Sequence, residues 1–334
     1  MRTIGIIGGG AWGTTLGLVA RRRDHAVLLW AHEAELVAAI NARHANALYL
    51  PDIALDPGLR ATGDLAAVAQ SDLIVLATPA QHLRGVLGRV APAWRKGTPA
   101  VIAVKGIEDR TAALMSEVVV AALPQAPIAI LSGPTFAIEV ARDLPTAVTV
   151  AATDTTLAAT VADVLGSPRF RTYQSEDPIG AQIGGAVKNV LAIACGIVEG
   201  RGLGDNARAA LITRGLAEMI RLGIAKGARP ETFMGLSGLG DLTLTCNALQ
   251  SRNFSLGFEL GQGRALKDVL GARRSVAEGV ATAAAVSTLA KRLGVDMPIA
   301  LAVDGIVNHF AGIDATIAGL LARPVKLEMP TVSA

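Results

Sequence analysis

The chain has 334 residues, of which 51% are hydrophobic and 18% are charged, and its formal net charge is +3. This composition excludes a disordered chain, and the length predicts about two domains with a sizeable core. No basic stripe interleaved with aromatic residues indicates nucleic-acid binding. The two cysteines lack metal-ligand spacing, and no signal peptide precedes the first predicted strand, so we expect no metal site and a cytoplasmic protein.

The first residues predict a dinucleotide site. Thr3–Ile7 is an apolar run of strand length, followed by Gly8-x-Gly10-x-x-Gly13 and then by apolar residues at helical spacing. In this pattern Gly8 permits a tight turn, Gly10 lets a pyrophosphate approach the backbone, and Gly13 lets the helix pack close to the strand. The N–H groups and dipole of the helix N-terminus would bind the phosphates.

The end of the second predicted strand, Ala26–Trp30, bears on cofactor choice. Sites specific for NAD usually carry Asp or Glu there to bind the ribose hydroxyls. This chain has His32 instead, which leaves room for a 2′-phosphate, so we expect NADP(H) use, although not exclusively. Glu33 and Glu35 fit the start of the next helix better. The alternative is that His32 is an ordinary exposed loop residue.

Five further apolar runs predict strands, and a continuous apolar run is typical of a strand that is buried on both faces of a sheet. The five runs are 73–77, 100–104, 128–131, Thr146–Ala151 and 170–173, with a helix at Thr155–Leu165. Ligands bind beyond the carboxyl ends of such strands. Lys105 follows one strand, and Ser132-Gly133-Pro134-Thr135 ends another. Lys105 is therefore a candidate ligand-binding residue, the alternative being a solvated loop lysine.

Strand patterns stop after residue 173, and helical patterns begin at Asp177-Pro178, a favourable pair for the start of a helix. The predicted helices cover 179–198, 207–226, 253–262, 280–293 and 299–310. We predict an α/β protein with an N-terminal Rossmann-type doubly wound sheet followed by an all-α C-terminal domain. Residues 1–178 would form the dinucleotide-binding domain, and residues 179–334 the helical substrate and catalytic domain.

The first of these helices contains Gly184-Gly185-Ala186-Val187-Lys188-Asn189. Two glycines inside a helix cost about 1 kcal/mol each relative to alanine. That cost is understandable if another backbone or a cofactor approaches closely. The surrounding stretch, 183–198, is otherwise apolar. Because Lys188 and Asn189 interrupt it, we expect no membrane span. Burial lowers the pKa of a lysine and suits it to proton transfer; the alternative is an ammonium that reaches the surface.

Two later stretches suggest a phosphate site. Residues 238–245 form a glycine-rich loop that presents Asp241 and threonines amid apolar residues. Ser251-Arg252-Asn253 then precedes a helical segment. We call residues 251–253 the predicted phosphate clamp. They offer a phosphate a hydroxyl, a guanidinium fork, an amide and a helix N-terminus.

These motifs in this order resemble the bacterial NAD(P)-dependent sn-glycerol-3-phosphate dehydrogenase family over essentially the whole chain. The motifs are 8–13, 105–106, 132–137, 184–189, 238–242 and 251–253. The resemblance implies reversible reduction of dihydroxyacetone phosphate to sn-glycerol 3-phosphate, a phospholipid precursor, with NADP(H) or NAD(H). It also implies that Lys188 is the catalytic proton donor and acceptor.

The resemblance further assigns binding residues. Substrate contacts would be Lys105, Gly133, Thr135, Lys188, Asp241, Ser251, Arg252 and Asn253. Cofactor contacts would be Gly8, Gly10, Ala11, Trp12, Gly13, His32, Lys105, Ala137, Arg252, Val276 and Glu278. Asn189 and Thr245 would support the site. Whether the chain forms a homodimer is left open. Family members often carry another basic residue where this chain has Phe254-Ser255, so extra charge at the phosphate is not expected.

Two alternatives remain at this stage. A 3-hydroxyacid or ketopantoate-type reductase also pairs such a sheet with a helical domain, but its substrates carry a carboxylate. A catalytically silent dinucleotide sensor would keep the glycines without needing Lys188, Asp241 and the motif 251–253 together. Relative rates on phosphate and carboxylate substrates would separate the two enzymes.

Overall fold

An eight-stranded sheet organises the first half of the computed structural model, which describes residues 1–271 and 277–325. The strands are β1 (Thr3–Ile7), β2 (Ala26–Trp30), β3 (Ala45–Asn46), β4 (Leu50–Ala54), β5 (Leu59–Thr62), β6 (Leu73–Leu76), β7 (Ala100–Ile102), β8 (Ile128–Ser132), β9 (Thr146–Ala151) and β10 (Phe170–Ser175). β3 and β4 form a separate hairpin, and the other eight follow the order β10-β9-β8-β7-β6-β1-β2-β5. Neighbours are parallel except β8 and β9, which are antiparallel.

Helices cover both faces of this sheet, as its continuous apolar strands require. They are α1 (Ala11–Arg21), α2 (Ala34–Arg43), α3 (Leu65–Val68), α4 (Leu83–Val90), α5 (Met115–Ala122), α6 (Ala137–Ala141) and α7 (Thr155–Leu165). Apolar residues of α1 and α7 pack in the core of one face, and those of α4 and α5 in the core of the other. The predicted doubly wound sheet is confirmed.

Three short strands were not predicted: the hairpin strands β3 and β4, and the edge strand β5. They have two to five residues of mixed polarity. Such segments carry little periodicity, and β5 is a strand because it pairs in parallel with β2. Local sequence therefore says little about this edge of the sheet.

The second half of the described chain is helical, as predicted. Its helices are α8 (Pro178–Gly200), α9 (Asp205–Lys226), α10 (Asp241–Cys246), α11 (Arg252–Gly261), α12 (Leu266–Gly271), α13 (Glu278–Leu293), α14 (Pro298–His309) and α15 (Ile313–Leu321). α8 is central, because α9, α10, α11, α13 and α14 all pack against it and bury residues 180–197. By length and composition α8 could cross a membrane, but its apolar window is entirely buried inside the protein.

The two halves share their cores. Ala181, near the start of α8, packs with the apolar cluster on one face of the sheet. Ile107 and Leu114, from the sheet half, pack with the helical cluster. The change from strands to helices falls between β10 and α8, and the domain division at residue 178 stays a prediction.

Asp177 fixes the start of α8. Its buried carboxylate accepts hydrogen bonds from the Gly180 N–H at 2.8 Å, the Arg229 N–H at 2.9 Å and the Thr232 hydroxyl at 2.7 Å. The predicted N-cap is therefore confirmed, and it also joins α8 to the segment that follows α9.

Replacing Asp177 by Ala should lower the free energy of unfolding by about 2–4 kcal/mol. The change removes a helix cap and leaves two backbone N–H groups without their acceptor. Thermal or denaturant unfolding measures the effect. Asp177→Asn is the matched control, because it keeps an acceptor oxygen and should lose less. A melting temperature equal to that of the wild type in Asp177→Ala would contradict this role.

Candidate active site

Neighbouring parallel strands bring the predicted ligand-binding residues to one edge of the sheet. Gly8 follows β1, His32 follows β2, Lys105 follows β7 and Gly133 follows β8. Because β2, β1, β6, β7 and β8 are adjacent and parallel, their carboxyl ends share this edge. Three strand spacings of about 4.8 Å separate β2 from β7, so the edge offers roughly 14 Å to an extended ligand.

The glycine turn has the space and the donors that a pyrophosphate requires. Gly8 has a φ of +131°, and a Cβ there would lie 2.6 Å from the Ala77 carbonyl oxygen. Gly13 packs directly against the Gly8 carbonyl, whereas the α-carbon of Gly10 faces open space. Gly10 is the N-cap of α1 and has no side chain to cap the helix, so the first N–H groups can donate hydrogen bonds to an anion.

Three other predicted cofactor residues surround this turn. Ala11 and Trp12 begin α1. The indole N–H of Trp12 is buried without a hydrogen-bond partner within the described residues. Ala137 begins α6, and its carbonyl accepts a hydrogen bond from the Thr15 hydroxyl of α1 at 3.1 Å. α6, which follows β8, therefore packs against α1, the helix that begins at the glycine turn.

The ribose end of the site is less determined. His32 is exposed, with its ring centroid 6.4 Å from that of Trp30. Glu33 is the N-cap of α2, as predicted. A role for His32 in binding the cofactor stays a prediction. The predicted contact Val276 lies outside the described residues.

A buried carboxylate joins the two predicted lysines. Asp241 has no exposed surface, and its oxygens accept hydrogen bonds from Lys188 Nζ at 2.5 Å and from Lys105 Nζ at 2.8 Å. Lys105 also donates to the Gly133 carbonyl at 2.8 Å and to the Thr135 hydroxyl at 3.2 Å. Five of the predicted substrate residues therefore meet at one point.

Lys188 is poised for proton transfer. It is only 5% exposed, which excludes the alternative of an ammonium at the surface. Burial lowers the pKa of Lys188 to about 8; the Asp241 carboxylate opposes this shift, and the charge of Lys105 adds to it. The Thr245 hydroxyl accepts a hydrogen bond from Lys188 at 2.8 Å and donates to the Asp241 carbonyl at 2.7 Å, which fixes the ammonium. An amine with a pKa near neutrality can both donate and accept a proton.

The two helix glycines explain how α8 reaches this position. A side chain at Gly184 would collide with the backbone carbonyl of Ser237, in the π-helical turn Leu236–Gly240 that precedes α10. A Cβ at Gly185 would lie 2.9 Å from the Ser132 hydroxyl and 3.5 Å from the Lys105 stem. The expected close approach is confirmed. A backbone approaches the first glycine, and side chains approach the second.

Two asparagines connect this cluster to the predicted phosphate clamp. Asn189 donates to the Lys105 carbonyl at 3.3 Å and accepts from the Asn253 amide at 2.9 Å. The Asn253 oxygen accepts from the Gly279 N–H at 3.0 Å. One amide hydrogen of Asn253 is thereby used inside the protein, which leaves the other for a ligand.

The remaining clamp residues lie at the start of α11, and the predicted cofactor residue Glu278 lies at the start of α13. Ser251 caps α11 by accepting a hydrogen bond from the Phe254 N–H at 3.2 Å, and Arg252 is the exposed first residue of that helix. Glu278 begins α13 and accepts from the Ala80 N–H at 3.3 Å. Burial raises the pKa of Glu278 to about 7, and the positive charge of Arg252 opposes that shift. Within residues 1–271 and 277–325, no three His, Cys, Asp or Glu side chains converge on a possible metal position.

The hairpin β3–β4 also contacts the glycine turn, although no sequence pattern predicts a role for it. The Asn46 side chain donates to the Gly9 carbonyl at 2.9 Å. An asparagine in a short polar segment carries no local signal for this contact. The contact is seen only in the structure, where the Asn46 side chain is completely buried.

Comparison with known proteins covers both halves of the chain. Residues 3–158 match the model of the NAD-dependent glycerol-3-phosphate dehydrogenase N-terminus, and residues 177–318 match that of the C-terminus. A curated relative from Parvibaculum lavamentivorans, named glycerol-3-phosphate dehydrogenase [NAD(P)+], is 56% identical over 98% of each chain.

Solved structures agree with these matches. The glycerol-3-phosphate dehydrogenase of Coxiella burnetii is similar with a TM-score of 0.93 and 39% identity, over 96% of this chain and 99% of that one. A ketopantoate reductase from Ralstonia eutropha shares only the fold, with a TM-score of 0.59 and 16% identity over 94% and 99% of the two chains. The chain belongs to the NAD-dependent glycerol-3-phosphate dehydrogenase family.

Proposed function

We propose that the protein is an NAD(P)-dependent sn-glycerol-3-phosphate dehydrogenase that reversibly reduces dihydroxyacetone phosphate. Family membership and the names of close relatives support this activity. The observation that carries it is the pairing of Lys188 and Lys105 through Asp241 at the edge where the glycine turn would hold a dinucleotide.

The cofactor, when bound, supplies the hydride that C2 of the ketone receives. Lys188 donates its proton to the carbonyl oxygen as negative charge develops there, and Lys105 adds positive field at the same place. Asp241 keeps both ammonium groups in position. In the oxidation direction, neutral Lys188 accepts the hydroxyl proton of sn-glycerol 3-phosphate.

The phosphate of the substrate would bind at the start of α11. Arg252 supplies a guanidinium fork, and Ser251 and Asn253 flank it at a helix N-terminus. Phe254 and Ser255 follow without adding charge. The clamp favours a phosphate over the carboxylate of a ketopantoate-type substrate, and the buried lysine cluster has no use in a silent sensor.

Four further points belong to the proposal. The product would supply the glycerol backbone of phospholipids, and the enzyme would act in the cytoplasm. The chain would divide near residue 178, and it would form a homodimer. The phospholipid role rests on the family resemblance, and the division rests on the change from strand to helical patterns in the sequence. Sedimentation of the purified protein tests the homodimer.

One assay tests the central proposal. Purified protein is mixed with dihydroxyacetone phosphate and either NADH or NADPH, and the loss of nicotinamide absorbance is followed. Turnover with at least one cofactor is expected. No turnover with either, for a protein that is folded by circular dichroism, would refute the activity.

Replacing Lys188 by Ala should lower kcat by about 10²–10⁴-fold, because general acid–base catalysis typically contributes that much. Cofactor dissociation constants should stay nearly unchanged. Because the pKa of Lys188 is about 8, wild-type reduction should slow as the pH rises through about 8, while oxidation should speed up.

Lys188→Arg is the matched control for that experiment. It keeps the positive charge but has no proton to give near neutral pH, since the pKa of arginine lies above about 12. We expect it to be as inactive as Lys188→Ala. An active Lys188→Arg enzyme would mean that Lys188 acts only through its charge.

Replacing Arg252 by Leu should cost about 2–5 kcal/mol in kcat/KM on dihydroxyacetone phosphate, roughly 30- to several thousand-fold, because the phosphate loses its charged partner. Any rate on unphosphorylated dihydroxyacetone should change little. Arg264→Leu, at an exposed arginine just beyond the end of α11 that pairs with Glu259, is the control. Equal losses of rate on the two substrates would refute the clamp and assign Arg252 to the cofactor.

A further inference from the structure

The hairpin β3–β4 is hydrogen-bonded to the glycine turn through the buried side chain of Asn46. Asn46 is 0% exposed. Its amide nitrogen donates to the Gly9 carbonyl at 2.9 Å and to the Thr14 hydroxyl at 2.8 Å. The Gly9 carbonyl and the Gly10 N–H belong to one planar trans peptide and point in opposite directions. By holding the carbonyl on the hairpin side, Asn46 turns the Gly10 N–H towards the opposite, ligand-facing side.

The same hairpin reaches the ribose end of the site. The Tyr49 N–H donates to the Asn46 amide oxygen at 3.1 Å, which ties the two residues together. The Tyr49 hydroxyl donates to a Glu33 carboxylate oxygen at 2.8 Å. Glu33 directly follows His32 at the carboxyl end of β2. One short segment therefore contacts both the phosphate turn and the acidic residue beside the ribose position.

The charge of Glu33 makes this contact relevant to cofactor choice. A carboxylate near the ribose attracts the 2′,3′-diol of NAD(H) and repels the 2′-phosphate of NADP(H). The bond from Tyr49 occupies one oxygen of Glu33 and restrains its side chain at the hairpin. The carboxylate raises the pKa of the Tyr49 hydroxyl, so the phenol keeps its proton and stays a donor at neutral pH.

We propose that Tyr49 and Glu33 form a cofactor-selectivity element, and that Asn46, in the same hairpin, positions the neighbouring glycine turn. Asn46 positions the backbone donors for the pyrophosphate of either cofactor, and Tyr49 restrains Glu33 so that a 2′-phosphate is tolerated. This inference rests on the proposed NAD(P)-dependent function and names which of its residues set the preference. Asn46 and Tyr49 are positioning residues, since each acts through another group.

Tyr49→Phe removes only the hydroxyl and is the primary test. Dissociation constants are measured for NADPH and NADH by nicotinamide fluorescence, and for adenosine 2′,5′-bisphosphate and AMP by calorimetry. We expect the constants for the two 2′-phosphorylated ligands to rise by about three- to fivefold, the upper part of the range for one exposed charge interaction. The constants for NADH and AMP should stay within about twofold or fall.

Two further variants separate selectivity from simple loss of structure. Adding Glu33→Gln to Tyr49→Phe removes the freed charge and should restore NADPH affinity. Asn46→Ser, checked for folding by its melting temperature, should weaken NADPH and NADH by the same factor, because the pyrophosphate is common to both.

The possible failures can be told apart. Equal weakening of both cofactors in Tyr49→Phe, or no rescue by Glu33→Gln, would overturn the selectivity element alone. Unequal weakening in a folded Asn46→Ser would overturn the role assigned to Asn46. A wild-type protein that binds neither cofactor would overturn both this inference and the proposed function.

Discussion

The candidate active site depends on the ion cluster that Asp241 forms with Lys188 and Lys105. Removing a charge from water costs several kcal/mol per ion unless a partner and hydrogen bonds compensate. Asp241 compensates two cations at once, with N–O distances of 2.5 and 2.8 Å. The cluster fixes α8, α10 and the end of β7 relative to one another. Its net charge is positive, which suits an anionic substrate.

Packing around α8 makes that cluster possible. Glycines at 184 and 185 weaken a helix intrinsically, yet they let the backbone at Ser237 and the stem of Lys105 approach α8. The resulting burial brings the pKa of Lys188 down to about 8. Local helix stability is given up where the proposed chemistry needs a desolvated amine.

The cofactor edge and the clamp are coupled through amides. Asn189 and Asn253 link the Lys105 carbonyl to the Gly279 N–H at the start of α13, one residue after Glu278. Glu278 in turn accepts from the loop after β6, 198 residues away in the chain. These bonds cross between the sheet half and the helical half, and they join residues predicted for the cofactor to residues predicted for the substrate.

Sequence alone determined the doubly wound sheet, the helical second half, the glycine turn and the candidate role of Lys188, because apolar periodicity and turn residues are local signals. Tertiary structure alone decided the pairing of Asp241 with lysines 53 and 136 residues away, the strand β5, and the contacts of Asn46 and Tyr49. Polar side chains such as these have no periodic pattern. Their partners are chosen by chain crossings and by the requirement that buried polar groups be hydrogen-bonded, and neither can be seen along the sequence.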